Sequence, residues 1–360
     1  MQPTSLHNSL PTRKEMIEAF TLSKSEYEGV FITAVLTTGI FCRPTCPARK
    51  PKPENVEFYP NTKDALDAGF RPCKRCKPLE ELGTQPDWVQ LLLDKVDQDP
   101  THRWKDQDLR NLGIEPERAR RWFKTNHGMT FHAYSRARRL GKAMGHMKGG
   151  QTVTEAAMDA GYESMAGFTE AIKKFTGLNA SAAAYSTIVY LDRLMTPVGP
   201  MLAGATDGAL VLLEFVDRPM LPTQLERIQK RFSCSFIPEA NSVLVQMKAE
   251  LDAYFAGDLN AFTVSLDFPG TDFQQKVWAA LLQVPYGKTA SYLDLATKIG
   301  DPKAVRAVAR ANGDNRIAIV IPCHRIIGSD GSLTGYGGGL HRKKKLLDLE
   351  RGVEELNLFG

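Results

Sequence analysis

Two groups of residues in this 360-residue chain have the types and spacing for chemistry. The first is Cys42-x3-Cys46, then 26 residues, then Cys73-x2-Cys76. Two tight pairs separated by a long insertion suit a tetrahedral zinc site, because each pair turns two sulfurs toward one point and the insertion lets the pairs meet. Pro44 and Pro47 restrict the first turn, and Pro72 precedes the second pair. The spacing has three readings: a structural zinc that holds a poorly cored segment together, a zinc centre with a nucleophilic thiolate, or four unrelated thiols. In the second reading the metal keeps sulfur deprotonated, and four thiolates leave a formal double negative charge. A methyl group captured by one sulfur makes a thioether, halves that charge and lessens repulsion from a phosphate backbone.

The second group is Pro322-Cys323-His324-Arg325, after the apolar run Ile317-Ala318-Ile319-Val320. A cysteine in such a place is either a buried packing residue or a thiol activated for attack on carbon. A Cys-His pair also suits a cysteine protease, but adjacent residues form that dyad only when space brings their atoms together. The glycines at 335–339 do not form a phosphate loop, for no Gly-x-x-x-x-Gly-Lys-Ser/Thr pattern exists, and no His-Glu-x-x-His supports a metalloprotease. Cys234 has no partner at ligand spacing and reads as a small apolar residue. The run His341-Arg342-Lys343-Lys344-Lys345 reads as a solvated helix surface or a phosphate contact.

These residues need elements to hold them. The length predicts two or three domains. An apolar fraction of 42% and a charged fraction of 24% suit a folded protein. The net charge is only +5, but residues 101–150 hold 12 Lys/Arg against 4 Asp/Glu, which makes a nucleic-acid face plausible beside a merely solvated one. No apolar run is long enough to span a membrane, and Met1 to Pro11 lacks a signal-peptide core. Few cysteines, four of them clustered, suit an intracellular and cytoplasmic protein. Residues 84–180 read as mainly helical. Lys105–Leu112 and a helix from Pro116 make one helix-turn-helix around Gly113-Ile114; a long helix, His132–Met147, follows with Arg136, Arg138, Arg139 and Lys142. Thr152 and Glu155 then open a second unit as a capping box, with the turn at Gly161-Tyr162 and a recognition helix at Met165–Phe175. A helical bundle with a basic surface fits the same pattern. Ala209 to Val216 reads as a strand, and Gln274–Leu282 and Ser291–Ile299 as helices.

Three resemblances sharpen this reading. Thr38-Gly39-Ile40-Phe41-Cys42-Arg43-Pro44, with Glu54-Asn55-Val56-Glu57-Phe58-Tyr59 and Gly69-Phe70-Arg71-Pro72-Cys73-Lys74-Arg75-Cys76, resembles the metal-binding repair domain of the bacterial adaptive-response Ada family. The resemblance implies one Zn²⁺ on Cys42, Cys46, Cys73 and Cys76, with Cys42 also accepting a methyl group from a DNA methylphosphotriester. Ala160-Gly161-Tyr162-Glu163-Ser164, with Phe168, Phe175 and Gly177, resembles the AraC/XylS activators. That implies promoter binding, with Arg118, Arg120 and Arg121 of the first recognition helix on the DNA side. Glu115 stands where that family commonly has Ser, and Glu170 where it commonly has a basic residue. Pro322-Cys323-His324-Arg325, with Asn315 eight positions before the cysteine and Tyr336 in Gly335-Tyr336-Gly337-Gly338-Gly339-Leu340, resembles O6-alkylguanine-DNA alkyltransferase. By that resemblance Cys323 accepts the alkyl group. His324 helps form the thiolate through water and is oriented by Glu350. Asn315 organises the turn, and Tyr292 helps charge leave the guanine oxygen. Arg306 fills the space of the flipped nucleotide, and Tyr336 shapes the pocket lip.

The expected architecture is multidomain, α/β and α-helical: a four-cysteine zinc domain (1–82), a double helix-turn-helix domain (84–182), a ribonuclease-like α/β subdomain (186–265) and a C-terminal helical alkyltransferase subdomain (266–353). The expected function is single-turnover repair of methylphosphotriesters at Cys42 and O6-methylguanine at Cys323, with methylation of Cys42 switching on transcription as Arg43, Arg49 and Lys50 approach phosphates. The expected partners are alkylated double-stranded DNA, promoter DNA and RNA polymerase, and no membrane. Two alternatives are a repair-only methyltransferase and a zinc-containing regulator with an inactive alkyltransferase-like domain.

Overall fold

The computed structural model describes residues 10–24, 27–80 and 85–353. The expected break between the first two units, at 82–84, lies outside the described residues. In the first unit, helix α1 (Arg13–Thr21) starts at a capping box of Thr12 and Glu15. Strands β1 (Ile32–Val35), β2 (Ile40–Cys42) and β3 (Val56–Tyr59), helix α2 (Thr62–Asp67) and the two-residue strand β4 (Arg71–Pro72) follow. The sheet order is β3-β1-β2-β4, with only β2 and β4 parallel. Ile32, Ala34 and Phe41 pack on Ala65 of α2. So small a core needs another source of stability, which a metal supplies.

The second unit runs through α3 (Asp87–Gln98), α4 (Asp106–Asn111), α5 (Pro116–His127), α6 (Phe131–Lys148), α7 (Val153–Asp159), α8 (Met165–Thr176) and α9 (Ala180–Ala183). Pro116 opens α5, and Glu115 before it makes no side-chain cap. Gly113 and Gly161 take positive φ (72° and 70°) in the two turns, a conformation glycine adopts without strain. Two apolar cores form, one around Leu109, Phe123 and Phe131 and one around Leu140, Ala156, Phe168 and Ile172. The long helix α6 serves both, so it sets the relation between the two helix-turn-helix units.

Strands β5 (Ile188–Leu194), β6 (Met201–Ala205) and β7 (Leu210–Phe215), helix α10 (Leu221–Phe232), strand β8 (Ser235–Ile237) and helix α11 (Ser242–Ala256) form the third part, with sheet order β7-β6-β5-β8. The last part holds α12 (Asp272–Leu282), β9 (Ala290–Ser291), α13 (Tyr292–Lys298), α14 (Val305–Gly313), β10 (Ile326–Ile327) and α15 (Leu340–Glu350). Phe215, Met247 and Leu251 share one core with Trp278, Leu281, Ile317 and Ile321, so the two parts are packed as one body. Strand β7 also carries the lead-in to Cys323, since the Leu213 N–H donates to the Arg316 carbonyl (2.8 Å) and the Ala318 N–H to the Leu213 carbonyl (2.7 Å).

The helical unit docks on this body. The Arg193 Nε of β5 donates to Asn126 Oδ1 at the end of α5 (2.9 Å), and its guanidinium lies over Trp122. Gly141 of α6 meets Ile237 of β8, where a Cβ at 141 would come within 2.7 Å. No helix among the described residues is long and apolar enough to cross a membrane.

Candidate functional site

Neighbouring strand ends build the first sulfur centre. Strands β2 and β4 run parallel, so Cys42 at the end of β2 and Cys73 just after β4 emerge side by side, and the Cys73 N–H donates to the Phe41 carbonyl (2.9 Å). The turns after each strand bring in Cys46 and Cys76. All four Sγ atoms lie within 4.8 Å of one another, and none is in a disulfide. The Cys46 and Cys73 sulfurs are 4.0 Å apart, near the roughly 3.8 Å between thiolates on one tetrahedral Zn²⁺. The N–H groups of Arg43 and Arg75 point at the sulfurs of Cys76 and Cys73 (3.4 Å each), which suits thiolate acceptors. Without a cation, hydrogen bonds to Cys46 and Cys76, with burial, push the Cys42 thiol far above its usual range. The donor set therefore fits Zn²⁺. Cys76 is the most open of the four residues; Cys42 is 6% exposed.

Arg43 and Lys50 do not stand free for phosphates, contrary to expectation. The Arg43 guanidinium bonds the carbonyls of Cys76 (3.2 Å), Lys77 (3.3 Å) and Glu80 and faces Glu28. Lys50 Nζ donates to the Pro44 and Cys46 carbonyls (3.2 and 3.0 Å) and sits over the Phe20 ring. Both cations hold the turns of the cluster, while Arg49 is exposed.

The candidate nucleic-acid surface is narrower than the charge count suggests. Arg118 and Arg121 are exposed on α5, with Arg118 stacked over Trp88. Arg120 is tied to Asp106 (2.6 Å) and Glu117. On α6, Arg139 is buried under Tyr162 and bonds its hydroxyl (3.3 Å), and Arg138 pairs with Asp97 (2.6 Å) and Glu239 (3.5 Å). These two fasten the helical unit together and to its neighbour, leaving Arg136 and Lys142 exposed. The first turn of α8 is open, as a groove-reading helix requires.

The second sulfur lies in a cavity of about 380 Å³, lined by Cys323, Tyr292, Asn312, Tyr336, Gly337 and Arg218 among others. Asn315 holds the chain before it. Its Nδ2 donates to the Ile321 carbonyl (2.8 Å) and Cys323 Sγ (3.1 Å), and its Oδ1 accepts from the Ile317 N–H (3.0 Å). Ile319, inside this turn, has φ 70°, a strained conformation for a β-branched residue that the surrounding bonds enforce. Burial pushes the Cys323 thiol up, against the Asn315 bond and the nearby Arg218 charge. His324 Nε2 lies 2.8 Å from Glu350 Oε1, and its Nδ1 is buried without a partner. Burial would raise the Glu350 carboxyl, but hydrogen bonds from His324 and Arg325 outweigh it and hold it at about 2. A carboxylate only accepts, so His324 carries a proton on Nε2, and Nδ1 is the ring nitrogen left without a partner.

Known proteins show the same combination. The family model for the metal-binding domain of Ada matches residues 15–79, a helix-turn-helix domain 109–184, the ribonuclease-like domain of 6-O-methylguanine DNA methyltransferase 185–268, and its DNA-binding domain 272–352. The bifunctional transcriptional activator/DNA repair enzyme Ada of Escherichia coli is 36% identical over 341 residues, covering 91% of this chain and 93% of that protein. The chain belongs to the Ada family. The regulatory protein ada of Salmonella typhimurium is 34% identical over 91% of this chain and 94% of its own length. A methylated-DNA--protein-cysteine methyltransferase of Mycobacterium leprae is 43% identical over 46% of this chain and 93% of its own length.

In this Ada-family chain the structure gathers Cys323, Tyr292 and Tyr336 at one cavity and joins His324 to Glu350. Arg306 lies apart, exposed on the first turn of α14. Four partners were not found from sequence. Glu214 is fully buried and pairs with Arg218, which bonds the Asn315 carbonyl (3.1 Å). An acid within the apolar run Leu210-Val211-Leu212-Leu213-Glu214-Phe215, with Arg218 four positions on, was the available signal. Arg325 grips both Glu350 oxygens (2.9 Å each), and Tyr254 donates to Oε1 (2.8 Å). The basic run at 341–345 is not a plain solvated surface: Lys343 is fully buried and donates to the Ile326 and Thr334 carbonyls, and Arg342 pairs with Asp217 (2.8 Å).

Proposed function

We propose that this chain repairs two methyl lesions in double-stranded DNA and reports one of them to a promoter, through the residues named here. The observation that carries this reading is two sulfur centres of unlike chemistry in one chain, either side of a double helix-turn-helix. Bound Zn²⁺ on Cys42, Cys46, Cys73 and Cys76 keeps the sulfurs as thiolates at neutral pH. The Cys42 sulfur attacks the methyl carbon of a methylphosphotriester; the S–C bond forms, the C–O bond breaks, and the electron pair leaves on the phosphate oxygen. At the second centre the Cys323 proton passes through water to His324 Nδ1, and the thiolate attacks the O6-methyl carbon of a flipped guanine. The C–O6 bond breaks and its electron pair leaves on the purine, which Tyr292 helps to stabilise and which then takes up a proton. Arg306 fills the vacated stack, and Tyr336 closes the lip. A thioether has no route back to thiol here, so each cysteine works once.

Methylation of Cys42 removes one negative charge beside the DNA. Arg49 faces phosphates, and Arg118 and Arg121 carry the attraction along α5, with Arg120 partly neutralised. Promoter affinity therefore rises after methylation, and the gain shrinks with salt. The methylated protein acts in the cytoplasm and recruits RNA polymerase. Peptide mass spectrometry after incubation with DNA carrying defined lesions tests the reading. One methyl on the Cys42 peptide from phosphotriester DNA, and one on the Cys323 peptide from O6-methylguanine DNA, is expected. A methyl on Cys76, the more open residue, would overturn the Cys42 assignment; unmodified Cys323 would favour a regulator with an inactive alkyltransferase-like domain.

A further inference from the structure

The acid–base chain behind Cys323 has a member from outside the C-terminal part. Tyr254 lies near the end of α11, is 1% exposed, and donates from Oη to Glu350 Oε1 at 2.8 Å. Its ring is fixed by Phe262 and Tyr286, with centroids 5.3 and 6.1 Å away. The same Oε1 accepts from His324 Nε2 (2.8 Å) and Arg325 Nη2 (2.9 Å), while Oε2 accepts from Arg325 Nε (2.9 Å) and the Gly287 N–H (3.2 Å). One carboxylate oxygen thus serves three donors, and each draws on the electron density available to the others.

Nothing in the chemistry of methyl transfer requires a tyrosine there. His324 has no need of it for its tautomer, since a carboxylate alone fixes the Nε2 proton. What a lone carboxylate would also do is favour the imidazolium. An imidazolium has no free Nδ1 lone pair and cannot take the thiol proton. We infer that Tyr254 is a positioning residue for the Cys323 reaction: by sharing Glu350 Oε1 with His324 it keeps the imidazole neutral and its Nδ1 open. The inference rests on the reading of Cys323 as the O6-methylguanine acceptor. The other groups facing His324 and Glu350 are Arg325, Tyr286 of the α12–β9 loop, Tyr336 of the lip and Lys343 of α15. Burial, Arg325 and Lys343 act in the same direction as Tyr254, lowering the histidine, while Glu350 opposes them.

The test is single-turnover methyl transfer from an O6-methylguanine duplex to the full-length zinc-bound protein, wild type and Tyr254→Phe, between about pH 5.5 and 9. Phenylalanine keeps the ring and deletes only the donor. The acid limb is expected to move to higher pH. The rate near pH 6 should fall about three- to tenfold, and the rates should converge near pH 8.5. The NMR titration of the His324 ring should move up in parallel. Replacing Tyr254 with 3-fluorotyrosine, a stronger donor of nearly the same shape, should move the limb the other way and covers the case of a misfolded phenylalanine variant. An unchanged profile, or an equal loss at every pH, would overturn the inference while leaving the repair reading intact. Failure of the wild type to accept the methyl group would remove both.

Discussion

Arg218 and Glu214 show what single residues decide here. Glu214 sits within an apolar strand with no exposed surface, and its burial raises its carboxyl against the pull of Arg218. Arg218 also bonds the Asn315 carbonyl and lines the Cys323 cavity, so the pair props the turn that carries Cys323. Arg218→Met strands a buried acid and should cost about 3–5 kcal/mol of stability in urea unfolding. Adding Glu214→Leu should recover most of that loss, since removing both charges spares their desolvation. A double variant no better than the single one would show that the pair is not energetically coupled.

Helix α5 divides into two halves with different work. Its first turns offer Arg118 and Arg121 to solvent, while its end is locked against β5 by Asn126 and Arg193. If α5 lies on DNA, Arg121→Ala should reduce the slope of log affinity against log salt by about 0.9, the value for one phosphate contact. Arg120→Ala should reduce it less, because Asp106 and Glu117 already neutralise that charge. Equal slopes for all three proteins would remove α5 from the interface. At the locked end, His127 is buried among Trp122, Phe123 and Tyr134, and burial, helped by Arg193, lowers it to about 3. Below its usual value near 6.5 the unfolded chain gains a proton that the folded chain refuses. Stability should therefore fall as pH drops from about 6.5 toward 3. His127→Phe should lessen the loss between pH 7.5 and 5.5 by about 1 kcal/mol, read from chemical unfolding at both pH values.

Across the whole molecule, the two sulfur centres are held by separate cores. The four-cysteine cluster depends on a few residues around Phe41 and on its own sulfurs, whereas Cys323 belongs to the large core that also contains Trp278 and Met247. Zinc removal by a strong chelator should unfold the first unit and abolish phosphotriester repair, with O6-methylguanine repair kept within about twofold. Circular dichroism and the two repair assays on one sample check this. Parallel loss of both activities would show that the first unit supports the Cys323 site.

The sequence alone determined the parts whose signals are local. Cys42, Cys46, Cys73 and Cys76 announce a metal because ligand spacing is a property of short turns, and the starts of α5 and α7 are written in a proline at the first helical position and in the Thr152–Glu155 capping box. Cys323, His324 and Asn315 sit within one short stretch and could be read together. Tertiary structure decided what long separation hides. Tyr254 meets Glu350 across 96 positions, and Arg218 meets Asn315 across 97. It also decided which charges are surface: Arg139, Arg342 and Lys343 look like a nucleic-acid face in the sequence but are buried against carbonyls, aromatic rings or acids. A long cationic side chain reads the same in sequence whether it reaches for water or for a buried acceptor, and only the packing of its neighbours settles which.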